Sequence, residues 1–535
     1  PTALQMEEGN LGTLAAPPPS GNRPVGPGEL PGWEDAIVVL PQLAGASDLL
    51  AADLDEDCRL DLVAWGPTGL RVASQRNGFA WETRALVEEP VDAALAFDLG
   101  NDGDLDLLLA QAGRLRLLEA ERDGEGDRLE WRPWTKPLPA LPAAPQDLLA
   151  VDFDHEGDLD LLLVGTFGAR LLRNDGADAE QPEGGFADVT AEAGLPLDRP
   201  FEWCLIEDLD TDQDVDLLLG GPEGAFLADN QRGGTFADAS DRLAAVGTLR
   251  GEPLVADLDG DARPDLWKDD GLLLGRPLGA FEAGPAWEQR GTLPAGVRVR
   301  SADHDMDGSL DVVGLADAPV HGRLSVGLPG AKAFELDPQA ASEPRDVLLA
   351  DLDGDLANDL AVLGADGLEI RRGAQQGNAV RLRYRGQKDN RQSIGAVIEV
   401  RAGPIYRRIF SRGEPELVGL GGQAEVDYVR VLWPNGVLQH DLRHTPGDRA
   451  CDSAAAEAFQ PEGLVGSCPF LYTWNGETYE FISDVIGITP LGLPMAPGVL
   501  VPPDHDEYVL VRGDQLVAQD GFFEIQLTEE LREVS

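Results

Sequence analysis

The chain has 535 residues and carries 96 acidic against 42 basic side chains, a formal charge of −54 at pH 7. A field of that sign repels nucleic acid and anionic lipid, so neither is an expected partner, while the length leaves room for several domains. No stretch reads as a membrane span, since the longest uncharged run, Val485 to Val501, is broken by Pro490, Pro494 and Pro497.

Residues 1–32 are rich in Pro and Gly (Ala16-Pro-Pro-Pro-Ser-Gly, Pro24-Val-Gly-Pro-Gly) and read as linker. The chain begins at Pro1 with no visible signal peptide, and the expectation is a mature or trimmed chain.

Between residues 33 and 377 one acidic nine-residue phrase occurs seven times, at intervals of 45 to 56 residues. Such a period marks one supersecondary unit per repeat, stacked on its neighbours. Positions 1, 3, 5 and 9 of the phrase are Asp53, Asp55, Asp57 and Asp61 in the first copy. In the second they are Asp98, Gly100, Asp102 and Asp106, and in the third Asp152, Asp154, Glu156 and Asp160. The fourth has Asp208, Asp210, Asp212 and Asp216, and the fifth Asp257, Asp259, Asp261 and Asp265. The sixth has Asp303, Asp305, Asp307 and Asp311, and the seventh Asp351, Asp353, Asp355 and Asp359.

Four carboxylates within nine residues repel one another unless a cation sits among them. Oxygen ligands at alternate positions of a tight loop suit Ca²⁺, which takes six to eight oxygens at flexible angles. An EF-hand is excluded because its bidentate Glu at position 12 is replaced by Ala64, Leu109, Leu163, Leu219, Lys268, Gly314 and Val362. The flanks, such as Leu49-Leu-Ala-Ala52 and Leu60-Asp-Leu-Val-Ala64, read as short buried strands. Unoccupied acidic hairpin turns are the plainer reading, but a turn needs one Asp, not four. The expected cofactor is therefore Ca²⁺, about five to seven ions, held by carboxylates at 1, 3, 5 and 9 and a backbone carbonyl at 7. Loop 2, with Gly100, is expected to bind most weakly.

In the third copy the loop is followed by Asp160-Leu-Leu-Leu-Val-Gly165, Ala169-Arg-Leu-Leu-Arg-Asn174 and Gly185-Phe-Ala-Asp-Val-Thr190, separated by Gly and Asn/Asp turns. With the strand before the loop this makes four strands per unit, and four-stranded units in radial repetition describe a β-propeller. The phrases resemble FG-GAP/VCBS repeats, including those of the integrin α propeller, in which the Asp-x-Asp-x-Asp-Gly-x-x-Asp loop binds Ca²⁺. The resemblance implies an all-β fold: a seven-bladed β-propeller over 33–377 with calcium-binding hairpin loops, followed by small β-rich domains. The seventh copy shows only three strands before the chain leaves. Trp33-Glu-Asp-Ala-Ile-Val-Val-Leu40 is therefore expected to complete blade 7, pairing with Leu368 to Arg371 and packing Ile37 and Val39 on one face.

After residue 377 the acidic phrase stops and a basic, β-rich pattern begins: Ala379-Val-Arg-Leu-Arg-Tyr384, Ala396-Val-Ile-Glu-Val-Arg401 and Val426-Asp-Tyr-Val-Arg-Val-Leu-Trp433. Asn390, Ile394-Gly395-Ala396, Gly419-Leu-Gly421 and Trp433-Pro-Asn-Gly436 resemble the ASPIC/UnbV domain that follows VCBS repeats in the cartilage acidic protein family, and with 4 Lys against 38 Arg a bacterial member is suggested. Physically those glycines read as hairpin turns of a small sandwich over 378–445, with Trp433 in its core. Residues 446–535 form a further β-rich segment in which Cys468 to Ser483 reads as a hairpin about Asn475-Gly476; it is expected to be truncated.

Cys451 and Cys468 bracket a short segment and could pair in an oxidising compartment, whereas Cys58 and Cys204 are expected to be free buried thiols. No catalytic residue stands out. His155 and His304 fall at non-ligand loop positions, and His440 and His444 lie in a turn-and-strand context. Asp504-His-Asp-Glu-Tyr508 and Arg512-Gly-Asp514 read as surface turns, and no Gly-x-Ser-x-Gly, phosphate loop or dinucleotide fingerprint occurs. The function expected is a secreted, periplasmic or cell-surface calcium-binding propeller, a non-catalytic adhesion or scaffold module for an extracellular protein or glycan. The alternative is an accessory subunit or propeller enzyme acting on an extracellular glycan or protein complex.

Overall fold

A computed structural model describes residues 33–441 apart from short internal segments (the longest is 284–298), His444, and parts of 457–528. Among the described residues the regular structure is β-strand with three short 3₁₀ turns. Seven four-stranded antiparallel sheets precede residue 377, as in propeller repeats. The first, for example, runs through Asp48–Ala52, Asp61–Gly66, Gly69–Arg76 and Ala80–Val87 in sequential order. The second strand of each sheet is the most deeply buried: Asp106–Gln111, Asp160–Gly165 and Asp216–Gly221 are apolar almost throughout because both faces are covered by neighbouring sheets.

The seventh sheet breaks the sequential order. Its fourth strand is Trp33–Leu40, antiparallel to Gly367–Gly373, with Val38 opposite Ile370 and Leu40 opposite Leu368. The expected pairing is therefore observed. The packing face is not the expected one: Val39 is 44% exposed, while Leu40 is buried and Val38 packs against the shared core. With a period of two, the strand's register in the sheet decides which set turns inward. The side chain of Ile37 lies outside the described residues. One hydrophobic cluster runs from Leu40, Leu49 and Leu62 to Leu352, Leu363 and Ile370, joining the first sheet to the seventh.

All seven acidic phrases connect the first strand of a sheet to its second. Their backbones share a left-handed residue at position 4, where φ is +54° at Glu56, +52° at Asn101, +62° at His155, +63° at Thr211 and +55° at Met306. A side chain costs energy there, and loops 5 and 7 avoid it with Gly260 and Gly354. Position 6 is also left-handed at every described copy, including Cys58 (+69°), Ala262 (+72°) and Leu356 (+68°). The loop shape is thus set by the acidic pattern, and its glycines move between positions 4 and 6.

Beyond residue 377, Asn378–Arg385 pairs with Glu416–Gly421 and, in parallel, with Glu457–Phe459. A second sheet contains Ile405–Phe410, Val397–Ala402, Tyr428–Leu432 and Leu438–Asp441. The two enclose a core of Val380, Leu382, Tyr384, Ile398, Val418, Val429 and Trp433. Trp433 is fully buried as expected, its indole N–H donating to Gln439 Oε1 at 3.0 Å. The Asn475-Gly476 hairpin is also present, pairing Phe470–Trp474 with Tyr479–Asp484, and Ile525–Thr528 adds a third strand.

Candidate metal centres and the face that covers them

Each loop is built on its first and ninth residues. The position-9 carboxylate ties the loop to the sheet below. Asp106 Oδ2 accepts the N–H of Leu99 at 2.9 Å and its Oδ1 that of Ala120, on the third strand, at 2.7 Å. Asp359 does the same with Leu352 (2.9 Å) and Gly373 (2.7 Å), and Asp216 with Leu209 (3.1 Å) and Asn230 (3.0 Å). The position-1 carboxylate closes the turn: Asp303 accepts the N–H groups of Asp307 (3.1 Å) and Gly308 (2.9 Å), and Asp257 those of Asp261 and Ala262 (both 3.0 Å). Position 5 accepts the N–H of position 7, as Asp307 does from Ser309 at 2.8 Å.

This scaffold turns the remaining oxygens inward. Oxygens of Asp53, Asp55 and Asp57 lie within 4.8 Å of one another, as do those of Asp152, Asp154 and Asp160, of Asp208, Asp210 and Asp212, and of Asp257, Asp259 and Asp265. The Oδ1 atoms of Asp53, Asp152, Asp154, Asp210 and Asp351 are buried and accept no hydrogen bond. Buried carboxylate oxygens left without a donor are costly. Burial is the largest cause pushing these acids up: Asp61, Asp265, Asp303 and Asp359 to about 8, Asp106 to about 7. Repulsion from neighbouring loop carboxylates adds to it, and backbone donors partly oppose it. The donor set is all oxygen and clustered, which fits a hard divalent cation. In loop 2 Asp98 closes the turn in the same way, accepting the N–H groups of Asp102 (3.0 Å) and Gly103 (2.8 Å), but Gly100 contributes no side chain at position 3, so this loop has one carboxylate fewer.

Loop 4 has a further acid that sequence reading missed. Asp229, from the third strand, joins Asp210 and Asp216 in one group, and Arg242 bridges Asp210 (3.0 Å) and Asp229 (2.7 Å). Loop 3 reaches loop 4 through His155 Nε2, 3.4 Å from Asp214.

The second β unit lies over these loops. Along Asn378–Arg385 the side chains alternate, with Val380, Leu382 and Tyr384 in its own core and Arg381, Arg383 and Arg385 turned to the loops. Arg383 Nη1 binds Asp53 Oδ2, Arg381 Nη1 lies 3.6 Å from Asp351 Oδ2, and Arg385 binds Glu56. Arg391 also reaches Glu56, at 3.0 Å. Gln392 Oε1 accepts the N–H of Asp98 at 2.7 Å, and Gly421 N–H donates to Met306 O at 2.8 Å. Arg408 binds Glu207 (2.9 Å) and Asp208 (3.2 Å), all three buried. A Cβ on Gly419 would come within 2.1 Å of Asp303 Oδ2, so only glycine allows that approach. Between the sheets and this unit lies a chamber of about 340 Å³ lined by Asp257, Asp303, Glu416 and Arg407 among others.

Sequence reading placed the loop acids but not their arginine partners; the alternating Val-Arg-Leu-Arg-Tyr-Arg of residues 380–385 was the available signal. It also took Cys58 for a free thiol, and this is corrected: Cys58 is disulfide-bonded, whereas Cys204 is free and buried. Cys451, Cys468 and the cluster at 504–508 lie outside the described residues. His444 is buried, with Nε2 3.1 Å from Asp441 and 3.4 Å from the Tyr384 hydroxyl, while His440 is exposed on its strand. At Arg512 a turn forms as expected, closed by Gln515 N–H to Arg512 O at 3.0 Å.

An FG-GAP-like repeat model matches residues 98–163, which contain loops 2 and 3. No curated protein matches the chain. Among solved structures the chain is similar to an Agrocybe aegerita lectin that recognises non-reducing terminal N-acetylglucosamine, at 18% identity over 54% of this chain and 80% of the lectin (TM-score 0.40). It is also similar to BBS1N in its complex with ARL6DN, at 13% identity over 65% and 99% of the two chains (TM-score 0.42). Saccharomyces cerevisiae Sqt1 aligns at 12% identity over 61% and 83% (TM-score 0.36). Likenesses at this level carry no argument about this chain. No helix among the described residues is long and apolar enough to cross a membrane.

Proposed function

We propose that this chain is a calcium-loaded, closed seven-bladed propeller, secreted or held at the cell surface, that acts as a non-catalytic scaffold for an extracellular protein or glycan. The observation that carries the reading is the set of buried carboxylate oxygens without donors in loops 1, 3, 4 and 7, within clusters of loop acids. Oxygens so placed need a cation, and Ca²⁺ tolerates the irregular set that Glu156 and Gly100 create. Closure is supported by the Trp33–Leu40 strand in the last sheet and by the core shared between the first and seventh. The disulfide at Cys58 suits an oxidising compartment. The second β unit is read as an ASPIC/UnbV-type domain on the residues quoted above, in the manner of the cartilage acidic protein family.

Because the second unit lies over the loops, the partner surface is assigned to the opposite face, formed by the tight second-to-third-strand turns such as Gly66–Gly69 and Gly364–Gly367. Elemental analysis of the purified chain should find five to seven calcium ions, and excess EGTA should lower the melting temperature, since a cation that binds only the folded state stabilises it by mass action. A calcium-free protein with an unchanged melting curve in EGTA overturns the reading.

A further inference from the structure

We infer that the second β unit is a built-in cap whose arginines position the metal-binding carboxylates, so that calcium binding and cap docking reinforce each other. The inference rests on the calcium reading above.

The warrant lies in which oxygen each arginine uses. In loop 1 the Oδ2 of Asp53 receives Arg383 Nη1 and the N–H of Cys58 (3.0 Å). In loop 7 the Oδ2 of Asp351 receives the N–H of Leu356 (3.3 Å) and faces Arg381 Nη1 at 3.6 Å. In both residues Oδ1 is the buried atom without a donor. The guanidinium thus holds the outer oxygen and leaves the inner one to the loop centre. An arginine that competed with the metal would sit on Oδ1. Loop 4 shares only the placement of the arginine: Arg408 Nη2 is on Asp208 Oδ2 at 3.2 Å, while Asp208 Oδ1 accepts its own loop's Asp212 N–H at 3.0 Å.

The pairs are desolvated: Asp53 and Asp351 are nearly fully buried, and Arg381 with them. Breaking such a pair leaves an uncompensated buried charge. Arg381 and Arg383 stand on one strand, two residues apart, and so reach two loops on either side of the seam between the first and last sheets. Arg381 also donates to Cys58 O at 3.2 Å, so one side chain touches both loops. Groups that orient a metal ligand without touching the metal commonly alter its affinity 10–100-fold. By linkage, whatever the docked cap adds to calcium affinity, calcium returns to cap docking.

Two arms test this in the full-length chain. In the first, calcium is titrated calorimetrically into metal-free wild type, R381Q/R383Q and R381K/R383K, with R430Q as control because Arg430 pairs with Glu399 rather than with a loop carboxylate. The double glutamine variant should lose about 10-fold or more in affinity at two sites, the lysine variant should recover part of it, and R430Q should match wild type. In the second, a protease site is placed between Gly373 and Asn378 in a C58S background, so that no disulfide at loop 1 holds the pieces together. After cleavage the two parts should co-elute on size exclusion in calcium and separate in EGTA. Equal calcium isotherms for wild type and R381Q/R383Q, or a nicked chain that elutes identically with and without calcium, overturns the inference while leaving the calcium reading standing. Should the glutamine variant not fold, the second arm decides alone. Wild type that takes up no calcium overturns both readings together.

Discussion

The backbone N–H of Leu49 donates to the carboxylate of Asp346, 297 residues later, at 3.1 Å, across the seam where the first sheet meets the seventh. The same device recurs between the third and fourth sheets, where Asp147 Oδ2 accepts the N–H of Cys204 at 3.0 Å. An acid at or near the start of an innermost strand thus ties that strand to its neighbour, independently of any metal.

Asp346→Ala should therefore destabilise the protein by about 1–3 kcal/mol, the cost of a buried donor left without an acceptor. Asp346→Asn, which keeps an oxygen, should recover most of it. Denaturant midpoints measured in saturating calcium check this, and a loss of equal size in both variants would count against the bond.

Removing residues 1–41 should abolish cooperative unfolding, because it bares the edge of Gly367–Gly373 and takes Leu40 from the core that joins the first and last sheets. Removing residues 1–30 leaves the paired strand intact and should leave the melting curve unchanged. Calorimetry of the two truncations gives the comparison.

Asp303→Ala and Asp98→Ala form a matched pair. Each removes an acceptor for two backbone N–H groups at positions 5 and 6 of its loop. The difference between them reports the metal. In calcium, Asp303→Ala should lower the melting temperature more than Asp98→Ala, whose loop already lacks the position-3 acid. In excess EGTA the gap should close. A gap that persists under chelation would assign it to packing against the second unit.

The response to pH should reverse with calcium. Burial raises Asp61, Asp265 and Asp359 to about 8, against about 4 in an unfolded chain. An acid raised in the folded state holds its proton more tightly there. In EGTA, stability should therefore be greatest near pH 4 and fall as pH rises towards 8. The net charge of −54 acts in the same direction. In millimolar calcium the ligands must be ionised to bind, so stability should rise with pH over that window. Melting temperatures at pH 5 and pH 8, with and without chelator, give all four values.

Much of the site could be read from the chain alone because its determinants are local. A nine-residue loop places its own carboxylates at fixed offsets, and strands with Gly and Asn turns pair with their sequence neighbours. The four strands of the third repeat and the Asn475-Gly476 hairpin were legible for that reason. Even the return of Trp33–Leu40 to the last sheet followed from counting strands, since one unit lacked a fourth. Its inward face did not follow: Val38 and Leu40 pack while Val39 is exposed, because alternation fixes two sets and only the neighbouring sheet selects one.

The sequence by itself therefore determined the repeat, the acidic loops and the all-β class, since each depends on residues within one turn or hairpin. Tertiary structure alone decided what covers the loops. Arg383 and Asp53 are 330 residues apart, and nothing in the alternation of residues 380–385 says which acid each arginine will meet. It decided too that Cys58 is bonded and Cys204 free. Such partnerships arise when separate elements are brought to one place, and the free energy of burying a charge then selects the partner that compensates it.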